Sequence, residues 1–359
     1  MSKKIVHIGT DSTLMRDFIS FVDEIDPDNF HEYLIWRKKK SVLRKAKHIT
    51  IKDYSVKNLF FNLSFHWRSY SLLKSADRII LHGLNEVLTM VWLLIYPKST
   101  FQEIIWFYWG SELHKYNIGQ LNYKQKLLLR IQSRALKKIS YLAVGMSSEY
   151  EEITKFFSLQ TKAIWSFKYP SNVVEFVPDT PSVGKPFIVP SHLRIMIGHS
   201  ADPSNEHAKI LHQTYDRLDK KDDFTIYTPL SYGSNEKLDE IIELGKSLFS
   251  DRFVPITQVF QLDDYRLFLS GINAAVFPQQ RQQGMGNITS LLANGATVFL
   301  NPDANHARFF KEKGIVFRSV NELDFQLINE EQSNNNRRIM NEIFSKKNLQ
   351  NQLLNLFNS

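Results

Sequence analysis

Five prolines, at positions 170, 178, 181, 186 and 190, fall within the 24 residues from Tyr169 to His192, and no helical or alternating period runs through them. Such a segment reads as a semi-rigid linker between packed elements. It divides the chain in two, and each half alternates short apolar strands with amphipathic helices. Before it come Lys4 to Gly9, Glu32 to Trp36, Arg78 to Leu81, Glu103 to Tyr108 and Tyr141 to Val144. After it come Leu193 to Ile197, Phe224 to Thr228, a short strand at Val254, Asn273 to Phe277, Val298 to Asn301 and Gly314 to Phe317. Strands that alternate with helices pair in parallel, so the pattern predicts two α/β domains with mainly parallel sheets and a ligand-binding cleft between them. The expected boundaries are 1–170, a linker at 171–192, 193–330, and a polar, Asn-rich helical tail at 331–359.

Three strands of the first half end in the same way, in a glycine beside one ionisable residue: Asp11, His82 and Glu112. Ligands of open parallel sheets bind outside the carboxyl ends of the strands, so these three are the candidate catalytic residues. Capping the following helix is the competing role for Asp11. The first strand lacks the G-x-G-x-x-G fingerprint, which argues against a nicotinamide cofactor.

The most informative stretch of the second half is 277–301, FPQQRQQGMGNITSLLANGATVFLN. It reads as a strand end, five long polar side chains (Gln279 to Gln283), two close glycines, a helix, a glycine stop and a strand. Gly284 and Gly286 let a backbone turn or approach a ligand closely. Asn287 or Thr289 is the expected cap of the helix, whose N-terminal N–H groups would favour an anion such as a diphosphate. Arg281 is the one full charge of the loop and suits phosphate oxygens.

The chain has 359 residues, no cysteine, 43% hydrophobic residues and a formal net charge of +8. The absence of cysteine removes disulfides and thiolate metal sites and fits a reducing compartment. The most apolar run, Val87 to Tyr96, is about half the ~20 residues that span a bilayer, and MSKKIVHIGTDS contains no signal-peptide core. Much of the positive charge lies at Arg37 to Lys57 and in a basic amphipathic helix at 121–139, where Lys124, Lys126, Arg130, Arg134, Lys137 and Lys138 flank Leu127, Leu128, Leu129, Ile131, Leu136 and Ile139. That composition suits either an anionic membrane surface or a core-facing helix with a solvated basic back. No nucleic-acid-binding signature accompanies it.

GHSADPSNEH at 198–207, TPLSYG at 228–233 and RQQGMG at 281–286 resemble the 4-acetamido-4,6-dideoxygalactose (Fuc4NAc) transferases of enterobacterial common antigen synthesis. The G-T-D after the first strand, LHG at 81–83 and WGSEL at 109–113 fall at family-like positions, with Glu112 standing where the family shows an aspartate. The resemblance implies a GT-B glycosyltransferase of two Rossmann-like parallel-sheet domains facing across a cleft. The acceptor would bind the first domain and a dTDP-linked sugar the second. It places His199, Ser200, Asn205 and Tyr232 along the donor, and Arg281, Gln282, Gln283, Gly284, Gly286 and Asn287 at its diphosphate and sugar. It further implies transfer to a polyprenyl-diphosphate-linked saccharide at the cytoplasmic face of the membrane, without a metal or other cofactor. An inverting reaction needs a base, sought first at Asp11, then Glu112, then His82. O-antigen or capsule transferases using other nucleotide sugars would share these motifs. A nucleotide-sugar epimerase would want a carboxylate in the donor loop, where none stands, and a non-enzymatic saccharide-binding protein would normally be exported.

If the Arg281 guanidinium meets phosphate, Arg281→Ala will weaken dTDP binding by at least about 1.5 kcal/mol, more than tenfold in Kd. Calorimetric titration measures this, and an unchanged affinity would remove Arg281 from the site.

Overall fold

The computed structural model describes residues 2–37, 49–53, 70–95, 102–114, 116, 120–174, 191–219, 223–233, 236–280 and 282–358. The chain forms two compact units, residues 1–171 with 347–359 and residues 172–346. Most of the Pro-rich linker and of the basic stretch at 37–57 lies outside the described residues, as does Arg281.

In the first unit β1 (Lys4–Thr10), β2 (Phe30–Arg37), β3 (Ile49–Asp53), β4 (Arg78–His82), β5 (Glu103–Phe107), β6 (Tyr141–Val144) and β7 (Lys162–Trp165) form one sheet in the order β3-β2-β1-β4-β5-β6-β7. Every pairing is parallel. β4 is buried along its whole length, as expected of a parallel strand covered on both faces. α1 (Thr13–Ile25) begins where the Ser12 side chain accepts from Met15 N at 3.2 Å, and it buries Met15, Phe18, Ile19, Phe21, Val22 and Ile25. α2 (Val87–Ile95), α3 (Ser111–His114), α4 (Tyr123–Leu136) and α5 (Ser147–Phe157) complete the crossovers.

The second unit repeats the plan. β8 (Leu193–Ile197), β9 (Phe224–Pro229), β10 (Phe253–Ile256), β11 (Ala274–Phe277), β12 (Thr297–Leu300) and β13 (Arg318–Ser319) are ordered β10-β9-β8-β11-β12-β13, again all parallel. α6 (His207–Arg217), α7 (Leu238–Phe249), α8 (Leu262–Ser270), α9 (Met285–Asn294) and α10 (Asn305–Glu312) connect them. Both sheets have the doubly wound order, whose direction of winding reverses between β1 and β4 and between β8 and β11.

Two expectations shift. The strand sought at 314–317 pairs only at Arg318 and Ser319, because other groups take the preceding backbone. Ile315 N donates to Phe310 O at the end of α10, while buried Asn336 grips Val316 by both its N–H (2.8 Å) and its C=O (2.7 Å). The tail at 331–359 is two helices divided between the units. α11 (Glu330–Phe344) packs in the second, and α12 (Lys346–Asn358) returns to the first. There Leu349, Leu353, Leu356 and Phe357 are buried, Gln352 accepts from Phe167 N at 3.1 Å, and Arg78 donates to Leu356 O.

The Phe357 ring is fully buried, 4.9 Å from the His31 ring and 6.1 Å from that of His7. Phe357→Ala therefore leaves a cavity, and denaturant unfolding of the first unit should show a loss of about 3–5 kcal/mol.

Candidate active site

The winding reversal of the second sheet lies between β8 and β11, and the turns leaving these strands carry most of the expected donor residues. β8 ends at Gly198, whose φ is +70°. A Cβ there would stand 2.8 Å from His207 Nε2 and 3.0 Å from Asn205, so only glycine fits. Asn205 is fully buried and holds the turn: its Oδ1 accepts from His199 N (3.2 Å), and its Nδ2 donates to Ser200 O (3.0 Å) and Asp202 O (3.1 Å). Asp202 caps the 3-10 turn Pro203–Asn205 through Ser204 N. The loop after β9 joins this turn where Ala201 N donates to Tyr232 O at 2.7 Å. The Tyr232 side chain stays 55% exposed, with its ring centroid 6.3 Å from that of His199.

The loop after β11 closes onto the same histidine. Gly284 has φ +64° and is the N-cap of α9, and a Cβ on it would lie 2.9 Å from His199 Cγ. Among the described residues no side chain caps α9, and the N–H groups of its first turn can meet another acceptor. The expected caps are engaged otherwise. Thr289 Oγ1 donates back to Met285 O at 2.8 Å within the helix, and Asn287 hydrogen-bonds Tyr265. Ser204 Oγ lies 2.6 Å from Gln283 Oε1, which ties the β8 and β11 loops together. Gln282 and Gly286 flank this contact, both half-buried. Arg281 lies outside the described residues.

Three polar side chains near these turns were not singled out from sequence. Gln279 is buried with Nε2 3.4 Å from His199 Nδ1, while its Oε1 has no partner. Thr228 Oγ1, near the carboxyl end of β9, and His207 Nε2 are also buried without partners. Burial, and secondarily His199, lowers the His207 pKa to about 4 and keeps its ring neutral. Buried polar atoms without partners are rare and costly, which makes them pointers to a ligand. The spacing of Gln279 in the polar run was the one sequence signal available.

In the first unit Asp11, His82 and Glu112 stand at the ends of β1, β4 and β5, but in unlike settings. Asp11 is half-buried, and its N–H donates to Trp36 O at 2.9 Å. Glu112 is fully buried and accepts from Leu84 N and Trp109 N, each at 3.2 Å, so its carboxylate stitches the loops after β4 and β5. His82 is buried, with Nε2 3.0 Å from His7 Nδ1 and Nδ1 2.6 Å from Tyr169 Oη. α4 lies on the same unit with Gln132, Ala135 and Leu136 buried, and Leu128, Leu129 and Ile131 pack on the core. Its Lys124, Lys126, Arg130, Arg134 and Lys137 stay exposed. The helix is thus core-facing with a basic back.

Two doubly wound parallel-sheet units define the GT-B architecture of glycosyltransferases. Solved structures with the same fold include sucrose-phosphate synthase from Thermosynechococcus elongatus (TM-score 0.67, 11% identity, 99% of this chain and 98% of that one). A glycosyltransferase from Rickettsia africae ESF-5 (0.66, 11%, 99% and 98%) is similar. So is a UDP-forming α,α-trehalose-phosphate synthase from Burkholderia vietnamiensis (0.62, 9%, 99% and 99%). Residues 7–351 match the family described as 4-alpha-L-fucosyltransferase, glycosyl transferase group 56, and the chain belongs to it. It is a glycosyltransferase enzyme.

Gly284→Ala forces a side chain into the left-handed region and against His199, at a cost of about 1–2 kcal/mol. The expected outcome is a lowered unfolding midpoint together with binding of the nucleotide-sugar donor weakened at least tenfold. A normal donor titration curve for the folded variant would show that the donor does not meet this loop.

Proposed function

We propose that the enzyme transfers a deoxyamino sugar, Fuc4NAc, from its dTDP donor to a polyprenyl-diphosphate-linked saccharide in bacterial surface polysaccharide synthesis. The observation that carries the donor half is the N-terminus of α9, opening behind the left-handed Gly284 beside His199, to which the buried Gln279 with its unpartnered Oε1 reaches from the loop after β11. The departing nucleoside diphosphate gains negative charge as the glycosidic bond breaks. First-turn N–H groups, with Arg281 beside them in sequence, stabilise that charge where it grows. His199, Ser200 and Asn205 shape the turn facing this helix end, and the exposed Tyr232 ring offers a flat surface to the donor.

The acceptor half of the reading rests on the first unit. Of the three candidate bases, Asp11 is half-buried, whereas Glu112 and His82 are buried within the unit. Asp11 therefore orients the attacking hydroxyl first. A lipid-linked acceptor lies at a membrane, and the basic back of α4 supplies attraction to anionic lipid of roughly 1 kcal/mol per cation near the surface. Tyr123 and Leu127, exposed at the start of that helix, add apolar contact. Among the described residues no helix is long and apolar enough to cross a membrane, so attachment in this reading is peripheral, on the cytoplasmic face.

The test is thermal unfolding with dTDP, UDP, GDP and CMP in turn, since a ligand of the folded state raises apparent stability by mass action. A shift selective for dTDP is expected, followed by transfer of Fuc4NAc from dTDP-Fuc4NAc to the lipid-linked acceptor. A shift with UDP or GDP instead keeps the glycosyltransferase and overturns the donor.

A further inference from the structure

Five polar side chains run through the interior of the first unit in unbroken hydrogen-bond contact. Tyr169 Oη is 2.6 Å from His82 Nδ1, His82 Nε2 is 3.0 Å from His7 Nδ1, His7 Nε2 is 2.9 Å from His31 Nδ1, and His31 Nε2 is 3.0 Å from Asp26 Oδ2. None of the five is more than 8% exposed. The residues come from the segment after β7, from β4, β1 and β2, and from the turn after α1, so the chain crosses the sheet from strand to strand. Phe18, Tyr33, Phe107 and Phe357 pack around the rings.

Satisfying every link leaves one arrangement. A neutral imidazole has one donor and one acceptor nitrogen. The Asp26 carboxylate only accepts and also receives Asn29 Nδ2, at 3.0 and 2.9 Å. His31 must therefore donate from Nε2 and accept at Nδ1, His7 and His82 must follow in the same sense, and Tyr169 must donate its hydroxyl proton to His82. Burial, reinforced by the neighbouring imidazoles, holds His7 well below the ordinary histidine pKa, and burial brings His82 to about 3. Burial also lowers His31, against the opposing pull of Asp26 and Asp23. Tyr169 is raised well above the ordinary phenol value, chiefly by burial, with Glu112 adding to this and a hydrogen bond from Trp109 opposing it. The rings stay neutral and the phenol protonated, so all the links run from Tyr169 towards Asp26.

The Tyr169 end of the chain lies at the edge where the acceptor is expected. Its ring centroid is 4.7 Å from that of Trp109, which follows β5 and is 40% exposed. Trp109 in turn borders Gly83, where a Cβ would be 3.5 Å from its Cδ1.

We propose that Asp26, His31, His7, His82 and Tyr169 form a proton relay that takes up the proton released by the acceptor hydroxyl and holds it on the Asp26 carboxylate until product leaves. The inference rests on the glycosyl-transfer reading above. As the hydroxyl oxygen bonds to the sugar carbon and the bond to the diphosphate breaks, its proton passes to Tyr169 Oη, directly or through one water. Tyr169 gives its own proton to His82 Nδ1, and His82 gives one from Nε2 to His7 Nδ1. His7 gives one from Nε2 to His31 Nδ1, and His31 gives one from Nε2 to Asp26. One proton enters, one carboxyl group forms, and the three rings change only their tautomer. The reverse shift returns the proton to solvent at the Tyr169 end and restores every tautomer, so no ring needs to turn within a packed core. His82 then acts through Tyr169 and does not meet the substrate, while His7, His31 and Asp26 are positioning residues.

Two measurements decide this on the full chain. Nitrogen-15 NMR of histidine-labelled protein should show His7, His31 and His82 neutral and protonated at Nε2 from pH 6 to 8, with the uniform polarity lost in Asp26→Asn. Protonation at Nδ1, or a cationic ring, in the wild type would overturn the relay whatever the enzyme transfers. With dTDP-Fuc4NAc and the lipid-linked acceptor, Tyr169→Phe, which keeps the ring packing, should lower kcat at least tenfold with the donor KM within twofold. It should also turn a curved wild-type proton inventory in mixed H2O and D2O into a linear one. An unchanged kcat and inventory in that variant would overturn the relay even with the tautomers as described. Wild-type protein that binds no nucleotide and transfers no sugar would count against the glycosyl-transfer reading, while the NMR result still decides the hydrogen-bond chain.

Discussion

A parallel sheet covered on both faces leaves a polar side chain two places to go: the carboxyl edge, or a partner within the core. Taking a hydrogen-bonding group out of water without a partner costs about 1–3 kcal/mol, so the choice is strict. Both sheets use the edge, and the first unit uses the core as well. At the carboxyl edges stand Asp11, Gly83 and Trp109 in the first sheet, and Gly198, His199 and Gln279 in the second. Inside the first unit, His7, the only imidazole within β1, is affordable only because its two nitrogens find His82 and His31.

The same constraint explains what could be read from sequence. Apolar strands alternating with helices gave the central strands of both sheets, because each is a local run whose burial needs no knowledge of its neighbours; the edge strands β3 and β7 of the first sheet were not read, and β7 is not buried at any residue. The loop at 277–301 was equally legible: Gly284 and Gly295, with φ +64° and +84°, sit at the two ends of α9. Its cap was not: Asn287 and Thr289 read as the candidates, but Gly284 holds the N-cap position, and Thr289 lies one turn in and bonds back to Met285 O. The imidazole chain was nearly invisible, because directly linked members lie up to 87 residues apart and each histidine looks like an isolated core residue. The polar, Asn-rich tail is helical as read, but composition gave no sign that Asn336 within it is fully buried and replaces a strand partner for Val316.

Glu112 illustrates how one position reads differently at the two levels. A carboxylate after a buried strand and a glycine resembles a general base. In place it accepts from Leu84 N and Trp109 N and sets the two loops that border the site. Its two oxygens hold both loops at once, Oε1 accepting from Leu84 N and Oε2 from Trp109 N. Shape at this edge and proton movement behind it are thereby separate tasks, carried by Glu112 and by the histidines.

The return of α12 to the first unit has a consequence for how the protein is made. Residues 1–171 leave the ribosome well before residues 347–359, with the whole second unit synthesised in between. Until Phe357 arrives beside His7 and His31, the interior of the first unit is open to water on that side. The second unit can close its core first, and the histidine chain becomes dry only as the final helix docks. Assembly of the buried imidazoles is thus a late event in the life of each molecule, set by the order in which the polypeptide is threaded out.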